Sequence, residues 1–154
     1  MDLRNHKFIT ALLYGSISLI ISCSSPAASQ IQLNLPDGVW DKYNMLELKL
    51  PIPDTTATYN SYLDVRITAQ YSYSYLSVIV ARPGYRDTLW VTLDRDRAIR
   101  SGFFLDYRFP VDTTGFLAYG SSSSWCVSHN MPQKTLNGVA TIGLLIKKQR
   151  NGQR

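Results

Sequence analysis

Cysteine, histidine and glutamate are nearly missing from this 154-residue chain. It holds two cysteines, Cys23 and Cys126, two histidines, His6 and His129, and a single glutamate, Glu47. Two thiols cannot build a disulfide framework, so packing has to hold the fold. Acid–base catalysis draws mostly on His, Glu and tuned Asp, and that inventory is thin. Zinc needs about four N, S or O ligands, more than Cys126 and His129 supply. Those two residues are three apart, and on a strand that spacing points them to opposite faces. No GxSxG elbow, phosphate loop or HExxH motif occurs. No sequence repeat occurs, and no window has a convincing helical period. The expectation is a protein that is not an enzyme and takes no cofactor or metal.

What is present begins at the N-terminus. Arg4 and Lys7 precede Phe8–Ile21, 14 residues without charge. A bilayer-spanning helix needs about 20 apolar residues, so this run fits a signal-peptide core better. It ends Leu19-Ile20-Ile21-Ser22-Cys23, which resembles a bacterial lipoprotein box. That resemblance implies lipid attachment at Cys23, a signal peptide over 1–22 and a membrane tether. Residues 23–30 (CSSPAASQ) are small and polar and read as a flexible linker. They lack the acidic residues that follow the cysteine in surface-exported lipoproteins, which points to the periplasmic face of the outer membrane.

The remaining 132 residues suit one domain, large enough for a core without staples. They carry fourteen basic and ten acidic residues. The basic residues are scattered, apart from the tail over 149–154 and Lys147-Lys148 before it, and no stripe suggests nucleic acid. Cys126 reads as a small buried residue.

The signal over 31–148 is β nearly throughout. Leu46, Leu48 and Leu50 alternate with Glu47 and Lys49, and Leu63, Val65, Ile67 and Ala69 with Asp64, Arg66, Thr68 and Gln70. Period two marks a strand with one buried face. Residues 75–81 and the alternation through Leu89, Val91 and Leu93 form a hairpin around Pro83-Gly84, read with a longer loop over 82–87. Leu105, Tyr107 and Phe109 alternate before Pro110 and Asp112–Gly115 break the strand. Ser121–Ser124 reads as a loop, and 138–147 as a closing strand buried on both faces. The whole predicts an antiparallel β-sandwich of about eight short strands.

Three features remain. Asp94 and Asp96 are spaced like calcium ligands, but arginines interleave and no terminal acid follows, so they read as a solvated loop. The tyrosines of Tyr71-Ser72-Tyr73-Ser74-Tyr75 serve either as good strand residues or, with Trp40 and Trp90, as stacking platforms of a carbohydrate-binding lipoprotein. Asp-Thr-Thr or Asp-Thr-Leu occurs at Thr55, Thr88 and Thr113, resembling an O-glycosylation pattern of exported Bacteroidota proteins.

The order of local motifs carries a further resemblance. Leu35-Pro36-Asp37-Gly38-Val39-Trp40-Asp41-Lys42 precedes Pro53-Asp54-Thr55-Thr56, Tyr59–Arg66, Tyr71–Leu76 and Asp87-Thr88-Leu89. Met131, Leu136, Gly138-Val139, Ile142-Gly143-Leu144 and Ile146 close the series. Over residues 19–148 this resembles the GldH family of gliding-motility lipoproteins from Bacteroidota. Departures fall at Thr141, Leu145 and Lys147, where the family usually has an acid, an arginine and a glutamate. The resemblance implies a non-catalytic outer-membrane lipoprotein with partners in the gliding and secretion machinery. Only Cys23 carries over as a site residue.

Overall fold

Alternation becomes a strand where one face meets the core, as over Leu46–Pro51 and Thr58–Ile67, and the described residues hold eleven strands in all. The computed structural model describes residues 27–149; the signal segment, Cys23 and the tail from 150 onward lie outside the described residues. The first strands are β1 (Ala28–Asn34), β2 (Val39–Asp41), β3 (Leu46–Pro51) and β4 (Thr58–Ile67). Next come β5 (Tyr75–Arg82), β6 (Tyr85–Thr92), β7 (Ile99–Ser101) and β8 (Phe104–Leu117). The chain closes with β9 (Ser122–His129), β10 (Thr135–Asn137) and β11 (Val139–Lys148). A 3-10 turn at Pro36–Gly38 joins β1 to β2.

Two antiparallel sheets face each other in the predicted sandwich. One has the order β1-β11-β4-β8-β7 and the other β3-β9-β5-β6. A small β10-β2 ribbon pairs Leu136 with Trp40. The strand count exceeds eight because β2, β7 and β10 are three residues each, too short to show a period. Between the sheets lie Trp40, Trp125, Tyr59, Leu48, Leu63 and Ile142, all fully buried. Truncating such a Trp to Ala typically costs about 3–5 kcal/mol.

Local reasons follow the residues. β3 buries Leu46, Leu48 and Leu50 and exposes Glu47 and Lys49. β11 lies between β1 and β4 and is buried on both faces from Thr141 to Ile146, as its continuous apolar run predicts. Asp64, on the wet side of β4, is nonetheless buried.

Four expectations need correction. The β5–β6 hairpin has a two-residue turn, not a longer loop, since Arg82 pairs with Tyr85. Proline presets the first turn position and Gly84 supplies a φ of +74° at the second, so Arg86 and Asp87 fit within the strand. Pro110 and Asp112–Gly115 do not end β8. The ladder passes them through register shifts opposite Tyr59–Tyr62, bulges that absorb the extra residues. Ser122–Ser124 is strand, not loop, because its backbone pairs with Lys49–Pro51. Cys126 is half-buried rather than buried, on the outer side of β9. In addition, β1 starts at Ala28, inside the expected linker, because its backbone pairs with β11 from Lys147 onward.

Candidate functional site

The outer face of the five-stranded sheet carries a paired charge network. Asp64-Val65-Arg66 on β4 and Asp106-Tyr107-Arg108 on β8 share the pattern Asp-x-Arg. Antiparallel pairing sets Asp64 opposite Arg108 and Arg66 opposite Asp106. Both pairs are bidentate. Arg108 donates from Nε and Nη2 to Asp64 at 2.6 and 2.9 Å, and Arg66 donates likewise to Asp106 at 2.6 and 3.0 Å. The fork of a guanidinium matches two carboxylate oxygens. These hydrogen bonds raise both arginines above their already high ordinary pKa. Gln30 on β1 donates to Asp64 at 2.7 Å, and the Phe104 ring lies beneath the Arg66 guanidinium at 5.2 Å.

The pairs border a groove of about 300 Å³ lined by Gln32, Asp64, Arg66, Ile99, Arg108 and Thr141. Gly143 lies in the sheet between Gln32 and Asp64. A Cβ there would come within 2.7 Å of Gln32 Cγ and 2.9 Å of the Ile31 carbonyl, so glycine lets β1 and its amide side chain sit close. The carboxylates are occupied by arginines, and the one described imidazole is in the core. The groove therefore offers planar amide and guanidinium edges beside an apolar wall, chemistry suited to recognition rather than proton transfer. Thr141, Leu145 and Lys147 fall on this same outer face of β11, two or four residues apart. The repeated Asp-x-Arg tripeptide was the signal for this site. It has meaning only once β4 is known to pair with β8.

A second cluster joins the sheets. Arg82 at the end of β5 reaches Asp112 of β8 at 3.3 Å. Its guanidinium also lies over Phe116, Tyr85 and Trp125, at 4.5, 4.8 and 5.3 Å from the ring centroids. Burial pushes the Asp112 carboxyl up, but hydrogen bonds from Thr114, Gly115 and Arg82 outweigh it and hold its pKa below the ordinary value.

The other candidates disperse. His129 is buried on the core side of β9, edge-on to Trp40 at 5.3 Å, with neither ring nitrogen hydrogen-bonded. Burial, with the Lys42 charge, lowers its pKa against weaker opposing pulls from Asp41 and from the carbonyls of Trp40 and Lys134. Cys126 faces the other way, so the two form no dyad. Asp94 and Asp96 sit in an exposed turn where Asp94 accepts from the Asp96 amide. Among the described residues no group of three or more His, Cys, Asp or Glu could hold a metal ion. Trp40 and Tyr71 are buried and cannot serve as stacking platforms. Tyr73 packs edge-on to Tyr71, while Trp90 is exposed and stacks on Tyr75. Thr55, Thr88 and Thr113 are all exposed. At both Asp-Thr-Thr sites the aspartate accepts from the amide and hydroxyl of the last threonine.

No curated protein matches the sequence. Among solved structures, dimeric latent PorU from Porphyromonas gingivalis is similar at 10% identity and a TM-score of 0.45, over 85% of this chain and 14% of that one. BuGH86 in complex with neoagarooctaose is similar at 13% identity and a TM-score of 0.40, over 82% of this chain and 20% of that one. The chain thus spans a fifth or less of either protein. Residues 29–146, the sandwich almost from end to end, match the GldH lipoprotein family, and the chain belongs to that family.

Proposed function

We propose that this protein is a non-catalytic accessory component of the Bacteroidota gliding-motility and secretion apparatus. In this reading it is tethered through lipid on Cys23 to the periplasmic face of the outer membrane. The family match over residues 29–146 carries the proposal. The lipoprotein box supplies the tether. The groove beside Asp64 and Arg66 supplies a recognition surface whose partner is a protein of that machinery.

A Cys23→Ala strain tests it. Loss of gliding or of surface-adhesin secretion, with the domain still folded and abundant, is the expected result. Normal motility and secretion in that strain would count decisively against the proposal. Crosslinking from Gln32 in intact cells should recover components of the machinery.

A further inference from the structure

The end of the sandwich where the N-terminal segment leaves is defined by four strand ends. Ala28 of β1 pairs with Lys147, Lys148 of β11 pairs with Tyr59, and Thr58 of β4 pairs with Leu117 of β8. The Ala27 carbonyl accepts from the Lys148 amide. Five residue steps separate Ala28 from Cys23. At roughly 3.3–3.6 Å per residue they reach at most about 18 Å. A lipid at Cys23 therefore confines this end of the domain to within about two helix diameters of the bilayer surface.

The same end presents the side chains that an interface favours. Leu117 is 53% exposed, and Tyr119, on the loop between β8 and β9, is 94% exposed. Tyrosine suits the boundary between headgroups and acyl chains because its ring is apolar and its hydroxyl wet. Lys147 is exposed nearby, and a lysine near an anionic surface is attracted to it. Lys148 is partly neutralised by Asp54 at 2.7 Å. Exposure alone does not select this end, since Phe103 at the far end is 93% exposed. Nor does charge, since Arg95, Arg97 and Arg100 at the far end are exposed as well; reach from Cys23 does.

We infer that Leu117, Tyr119 and Lys147 form a docking face for an anionic phospholipid surface, holding the sandwich end-on against the membrane. This rests on the lipidation of Cys23 proposed above. The face limits tumbling on the tether and turns the far end away from the bilayer.

The test uses full-length protein purified from its envelope, carrying Cys126→Ser and a dye-labelled cysteine at Ser121→Cys or, as the control, Ser101→Cys. Mass spectrometry of the N-terminal peptide first reports whether Cys23 carries lipid. An unlipidated Cys23 removes the tether reading and this inference with it. With lipid present, the protein is placed in phosphatidylglycerol-containing vesicles doped with brominated lipid. Quenching several-fold stronger at position 121 than at 101 is expected. Tyr119→Ser with Leu117→Ser should cut the difference several-fold, to what the tether alone gives, and Lys147→Gln should lower the docked population about fivefold at low salt. Equal quenching at both ends overturns the docking face while leaving the tether intact. So does an end preference that the Tyr119 and Leu117 substitutions leave unchanged.

Discussion

The two sheets have equivalent inner faces and opposite outer ones. Inside, both present alternating Leu, Val and Ile to a common core. Outside, the five-stranded sheet carries two bidentate ion pairs and a row of amides at Gln30, Gln32 and Asn34. The four-stranded sheet instead shows Ile79, Ala81, Cys126 and Ser128, with Glu47 and Lys49 on one edge strand and Arg86, Thr88 and Trp90 on the other. The difference locates the information. A core needs only apolar residues of suitable volume, whereas oriented charge on a solvent face needs defined pairing.

The comparison breaks most completely if the sheets lose their link. Arg82→Ala removes the side chain joining β5 to Asp112 of β8 and strands a buried carboxylate. A loss of about 3 kcal/mol is expected, read as a lower urea midpoint at unchanged slope.

The next test sets one outer face against the other. Asp64→Asn leaves Arg108 without its charged partner, and Arg108 is partly solvated, which tempers the cost to about 2 kcal/mol. Cys126→Ser on the opposite face should cost less than about 0.5 kcal/mol. Equal costs would erase the distinction between the faces.

Acid separates two buried groups, His129 and Asp112, with the smallest effects. The folded-state pKa of His129 is depressed. Below about pH 6.5 the unfolded chain therefore takes up a proton first, and stability falls as pH drops toward the folded value. Asp112 is also held low. Its contribution is complete above about pH 4 and is lost as pH falls through its folded value. Melting temperature against pH should show a near-neutral limb that His129→Phe removes and an acid limb that it does not.

The strands with one dry face were legible because alternation is local: β3 and the core positions of β4 follow residue by residue. The serines of β9 were not legible, since their strand is set by backbone bonds to Lys49–Pro51 and their side chains carry little preference. Pro110 misled because proline usually ends a ladder, yet a bulge takes it in. The ion pairs and the Arg82 cluster join residues 30 to 44 positions apart, and no local pattern announces such partners. The family was legible throughout because its motifs survive as an ordered series.

The pairing of β1 with β11 has a mechanical consequence. Seven residue pairs, from Ala28↔Lys147 to Asn34↔Thr141, run antiparallel with the N-terminal end of β1 leading toward Cys23. A pull on that end, resisted by a partner seated at the far end of the sandwich, runs along the strand axis. It strains all seven pairs together in shear. A pull between the N-terminal and C-terminal ends, which emerge side by side, opens the same ladder one pair at a time. The strand order thus makes the domain strong when β1 is pulled along its own axis and weak when the ends of β1 and β11 are pulled apart.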